Sequence, residues 1–66
     1  MWIITKKGLV INSDYISLLD VDGGLTVARL IGDNANRFTI CYGDAVTKIL
    51  AGINAGEAIL DFRGDN

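Results

Sequence analysis

The chain has 66 residues, six Lys and Arg against eight Asp and Glu, a net charge of −2, one cysteine, no histidine and no proline. One cysteine forbids an intrachain disulfide, and the lack of histidine removes Cys/His zinc sites and Ser/His or Cys/His nucleophilic pairs within the chain. The basic residues are scattered, with only Lys6 and Lys7 adjacent, so the basic stripe that phosphate neutralisation requires is missing and nucleic-acid binding is disfavoured.

No apolar run reaches the ~18–20 residues that span a bilayer, and "MWIITKK" is too short in its apolar part, with its charges on the wrong side, for a secretion signal. The expected setting is a reducing cytoplasm. Sixty-six residues make one domain, 1–66. A chain of this size buries only about 60% of its unfolded surface, so self-association is an expected source of stability.

In chain order, "WIITK" and "LVIN" flank Lys7-Gly8 and predict a hairpin. "NSDY" at 12–15 is a cluster of turn formers whose side chains bond their own backbone. "ISLLDV" and "LTVARLI" are strands on either side of "DGG", and "GDNAN" at 32–36 is a second dense turn signal. "RFTICY" predicts a strand with Phe38, Ile40 and Tyr42 on one side and Thr39 and Cys41 on the other.

Beyond Gly43 the period changes. Val46, Ile49, Leu50 and Ile53 fall at i, i+3, i+4 and i+7, so a helix is expected over about 44–55, with Asp44 as its cap and Gly56 as its left-handed stop. In the tail, Ala58, Leu60 and Phe62 alternate with Ile59 and Asp61, which predicts a short strand; continued helix is the competing reading. The last four residues are expected to fray. The fold class is therefore α+β: an antiparallel meander of four to five strands, one amphipathic helix on one face, and a possible short C-terminal strand.

"DVDGG" at 20–24 is the one stretch that suggests a cation loop. A calcium loop needs ligands at its first, third and fifth positions, glycine at the sixth and glutamate at the twelfth. Counting from Asp20, glycine stands at the fifth position and Ile31 at the twelfth, so the pattern fails. No metal or other cofactor is expected. The stretch reads better as a hairpin turn with Asp22-Gly23-Gly24 as a three-residue loop, Val21 facing Leu25 and Leu19 facing Val27. A two-residue Gly23-Gly24 loop, which would oppose Val21 with Thr26 and Asp20 with Val27, matches apolar partners less well.

Both faces of the predicted sheet are apolar in places, which points to a face covered by another copy of the chain. Ala51, Gly52 and Ala55 give the helix a side with little side chain, a candidate oligomer contact together with Phe62. No catalytic constellation or phosphate-cradling loop is present, and the chain is expected not to be an enzyme. The candidate binding residues are the aromatic and arginine side chains Trp2, Tyr15, Arg29, Arg37 and Tyr42. Cys41, set mid-strand, is expected to be a buried structural thiol.

The stretches "KKGLVINSDYI" and "TVARLIGDNANRFTICYGDAVTKILAGI", with Asn12, Asp14 and Ile16 after a glycine turn and Thr26-Val27 in the following strand, resemble the small flagellar FlbD-type proteins and short phage and bacterial proteins of similar design. The resemblance spans about residues 5–54 and implies the meander-plus-helix fold; it carries over no functional residue. The expected function is a small protein-binding module that self-associates and acts as a phage-type inhibitor or adaptor, of the anti-defence or anti-CRISPR kind, with a host protein as partner. The alternative is an oligomer that sequesters an anionic small molecule between subunits, using Arg29, Arg37, Lys6 and Lys7.

Overall fold

A computed structural model describes residues 1–33 and 35–64. The α+β class, the meander and the C-terminal strand are all present, but the strands are divided between two sheets of three.

The first sheet opens with the expected hairpin. Strand β1 (Trp2–Ile4) pairs antiparallel with β2 (Val10–Asn12), placing Ile3 opposite Ile11. The link is held by its own groups. The Gly8 N–H donates to the Thr5 carbonyl, and the buried Thr5 hydroxyl accepts from the Leu9 N–H at 3.0 Å. Gly8 has a φ of 89°, open to glycine without a Cβ clash.

The "NSDY" cluster forms a 3-10 turn, Ser13–Tyr15, in which the Asn12 side chain accepts from the Asp14 N–H at 2.9 Å. The third strand of this sheet comes from far along the chain: β6 (Ile59–Asp61) runs parallel to β1, with Leu60 opposite Ile3, giving the order β2-β1-β6.

The second sheet is the meander β3 (Ile16–Asp22), β4 (Leu25–Leu30), β5 (Phe38–Tyr42). Its central turn corrects the expected register. Asp22 lies opposite Leu25, Val21 opposite Thr26 and Asp20 opposite Val27, so the loop is the two-residue Gly23-Gly24. Both glycines have positive φ, 59° and 80°, the mirror-image turn whose twist matches that of paired strands. Two consecutive glycines make that turn accessible, and turn geometry outweighs apolar matching.

The expected alternation in β5 is also corrected. Thr26 pairs with Cys41 but Val27 pairs with Thr39, leaving Ile40 as the extra residue of a bulge. Ile40 and Cys41 are consequently both buried. The Ile40 carbonyl accepts instead from the Lys6 N–H at 2.7 Å, which ties the two sheets together. In the "GDNAN" turn the Asp33 carboxylate accepts from the Ala35 and Asn36 N–H groups; Asn34 lies outside the described residues.

The helix α1 spans Val46–Asn54. Asp44 accepts from the Val46 N–H at 3.1 Å, and the Ala45 N–H is taken by the buried Thr26 hydroxyl at 2.8 Å. At the other end Gly56, at φ 71°, donates to Ile53 and Glu57 donates to Gly52, satisfying two helix carbonyls as its left-handed stop predicts. Ile3, Ile11, Ala28, Ile40, Cys41, Ala45, Ile49 and Phe62 form the core, with Met1, Ile16, Leu19 and Leu60 packed on it. Of the tail expected to fray, Asp65 and Asn66 lie outside the described residues.

Candidate functional site

The clearest concavity lies where α1 crosses the start of β3. Of the helix stripe read from the sequence, Ile49 is fully buried while Leu50 and Ile53 stay 55% and 45% exposed. A nine-residue helix rests only part of its apolar face on the sheet, and the rest overhangs. Leu50 and Ile53 form one wall of an open groove of about 270 Å³; Ile16, Leu18 and Leu19 form the other, and Ser13 and Ser17 lie along it.

The Ser17 hydroxyl donates to the Arg29 carbonyl at 3.1 Å, where β3 is irregular between Ile16 and Leu18. The lining holds no charged side chain. Its volume is below the ~300–1,000 Å³ of small-molecule pockets, so it suits one or two aliphatic or aromatic side chains.

The groove borders a sheet edge, because β3 has β4 on one side only. Near the turn that edge is partly closed by its own chemistry, since the Asp20 carboxylate accepts from the Val21 N–H at 2.8 Å. Towards the groove β3 exposes Leu18, and no lysine or proline interrupts the strand as edge protection usually does.

The residues singled out from the sequence are not brought together. Trp2, Tyr15 and Tyr42 are each more than half exposed, but they belong to the first sheet, the 3-10 turn and the end of β5. Tyr15 is nearest the groove, in the same turn as Ser13.

Arg37 reaches across the width of β4 to pair with Asp22 at 2.7 Å. Arg29 sits beside Leu18 in the register, and its Nε is buried with no hydrogen-bond partner among the described residues. Lys6 and Lys7 follow β1 in the other sheet. The proposed contacts on the helix divide: Ala51 and Ala55 are exposed, whereas Gly52 is buried, with the Met1 sulfur 3.1 Å from where a Cβ would stand.

Phe62 is 1% exposed and belongs to the core, under the Lys48 ammonium group 5.0 Å from its ring centre. Its place in an oligomer contact is thus corrected: the alternation of the tail strand turns it inward. Leu50 and Ile53 were missed as surface residues because the apolar stripe was assigned wholly to the core.

Among the described residues no cluster of His, Cys, Asp or Glu is arranged to hold a metal ion, and no helix is long and apolar enough to cross a membrane. Cys41 is buried and outside any disulfide. Comparison with protein-family models, curated proteins and solved structures gives no match.

Proposed function

We propose that this chain is a small, non-enzymatic protein-binding module, a self-associating inhibitor or adaptor of phage type, which seats apolar side chains of a partner protein in the groove between β3 and α1. The observation that carries the reading is the exposure of Leu50, Ile53 and Leu18 around one uncharged concavity. Large apolar side chains gathered at one rim mark interaction surfaces, whereas singly scattered ones do not.

The exposed β3 edge beside the groove would let an extended partner segment add main-chain hydrogen bonds to the side-chain contacts. A host protein is the proposed partner, and a reducing cytoplasm suits a lone cysteine, Cys41, outside any disulfide. Sequestration of an anionic ligand has less support, because no cation lines the groove and Arg37 is engaged by Asp22.

The test uses Leu50→Lys with Ile53→Lys. Both positions are exposed, so the variant should fold with stability within about 0.5 kcal/mol per site of the parent. A photo-crosslinker placed at Ser17 should label a defined protein in the parent background and lose it in the double variant. Equal labelling in both backgrounds, or none in either, rejects the groove as the binding site.

A further inference from the structure

The groove between α1 and β3 stands where a fourth strand of the second sheet would lie. β3 has a neighbour on one side only, and Leu50 and Ile53 flank the groove from above its open side. The register shows which backbone groups face out. The closing residues of a two-residue hairpin exchange both hydrogen bonds, so Asp22, Asp20 and Leu18 turn their backbone groups to β4, and Val21 and Leu19 turn theirs to the free edge. The Val21 N–H is taken by the Asp20 carboxylate at 2.8 Å. The bonding pair that faces out beside the groove is therefore the N–H and carbonyl of Leu19.

Residues opposite one another in a ladder share a face. Leu19 lies opposite Ala28 and packs on the core, whereas Asp20, opposite Val27, points to the other face. An added strand would thus turn the residue opposite Leu19 inward, towards Leu50 and Ile53. The residue opposite Asp20 would lie on the outer face, beside that carboxylate.

Asp20 is exposed, and among the described residues it makes no ion pair. All six cationic side chains are placed elsewhere. Arg37 is paired with Asp22 and Arg63 with Asp61. Lys48 lies over Phe62. The Lys6 N–H bonds to Ile40 of β5, the opposite edge of this sheet, and Lys7 follows it. Arg29, opposite Leu18, has Asp33 beside it; the Asp33 carboxyl is held below its usual value chiefly by the Asn36 side chain and in part by Arg29. The residues outside the described set, Asn34, Asp65 and Asn66, carry no cationic side chain. The carboxylate beside the open strand position is left for a partner's cation.

The same charge disfavours a second copy at this edge. Two β3 strands paired antiparallel, with Leu19 opposite its twin or opposite the other copy's Val21, bring the two Asp20 carboxylates to diagonal or directly opposite positions, where like charges repel.

We propose that the β3 edge accepts an extended protein segment of alternating apolar and basic residues as the fourth strand of the sheet, with an apolar side chain opposite Leu19 in the groove and a Lys or Arg opposite Asp20. The proposal rests on the groove as the binding site and names the chemistry of what it takes.

The test titrates the labelled protein with a capped peptide, Ser-Thr-Val-Lys-Val-Thr-Ser, and with its Val-Glu-Val counterpart, each to about 1 mM. The lysine peptide should shift the Leu19 amide and the Leu50 and Ile53 methyl signals in NMR spectra and slow exchange of the Leu19 N–H. The glutamate peptide should bind about fivefold more weakly. Asp20→Asn, which can still accept from the Val21 N–H, should bring the two peptides within about twofold, and Asp20→Lys should reverse their order. Methylating both valine amide nitrogens of the lysine peptide should abolish binding, because a strand needs its N–H donors.

Equal binding of the two peptides to the parent, binding that survives N-methylation, or no shift at Leu19 with either peptide overturns the proposal. A Leu19 N–H that is protected in the free protein at high concentration and exposed on dilution puts a second copy on the edge, and overturns it too. Loss of the Ser17 cross-link in Leu50→Lys with Ile53→Lys, alongside equal binding of the two peptides, keeps the groove and rejects the basic strand.

Discussion

Thr26 joins three elements through one hydroxyl. It is fully buried in β4, donates to the Gly43 carbonyl at 2.6 Å after β5, and accepts from the Ala45 N–H at 2.8 Å at the start of α1. Valine has the same shape without the bonds, and serine has the bonds without the methyl group. In Thr26→Val the Gly43 carbonyl, at an exposed residue, can turn to water. The Ala45 N–H, on a residue 8% exposed, is left without a partner, which costs about 1–3 kcal/mol; about 2 kcal/mol is the working figure.

In Thr26→Ser the loss is one methyl, about 0.8 kcal/mol. With an unfolding entropy of about 2.1 cal/mol/K per residue, 66 residues give about 0.14 kcal/mol/K. The valine variant should therefore melt about 14 °C below the parent and the serine variant about 6 °C below. Scanning calorimetry at one fixed protein concentration reads both, which keeps any dimer contribution constant. A valine variant as stable as the serine variant would refute the claim that the hydroxyl, rather than the packing, fastens the helix to the meander.

The central turn gives a second prediction. Asparagine at Gly23 should be neutral, because Asn-Gly suits a turn with both central φ values positive, whereas alanine at Gly24, φ 80°, should lower stability by about 1–2 kcal/mol in urea unfolding. The third concerns pH. Hydrogen bonds from Arg63 hold the Asp61 carboxyl down at about 2 from its ordinary 3.8. A depressed carboxyl contributes stability above about pH 4 and loses it as pH falls through about 2. Carboxyl NMR should place the Asp61 midpoint near 2 and move it towards 3.8 in Arg63→Gln; a parent midpoint near 3.8 rejects the pairing.

Much of the local structure was legible in the residues. Lys7-Gly8 announced the first hairpin, the i, i+3, i+4, i+7 apolar positions and Gly56 announced the helix and its end, and the alternation of Leu60 and Phe62 announced the last strand, though not that Phe62 turns into the core. What escaped is non-local. Strands of three residues carry almost no periodic signal, so nothing near Trp2–Ile4 shows that its second neighbour lies more than fifty residues away.

The β3–β4 register was misread because apolar pairing across the strands was weighed above the conformations open to two adjacent glycines. The bulge at Ile40 inverted the faces of β5 in the same way, since one extra residue shifts every side chain beyond it. As for the site, the aromatic and arginine candidates were visible as types. The groove was not, because it depends on how far α1 overhangs the sheet, and residue spacing along the helix does not encode that distance.

The parallel pairing of β1 with β6 also sets a timetable. β1 waits for β6, made more than fifty residues after it, and Phe62, which plugs the core, emerges later still. Until then the hairpin of β1 and β2 has no stable sheet to join, since two strands alone are marginal in water. The meander and helix can form early as a local unit, but closure of the first sheet must wait until β6 has emerged. Long-range closure of this kind slows folding, and it leaves Trp2, Ile3 and Ile11 open to capture by other chains in the interval.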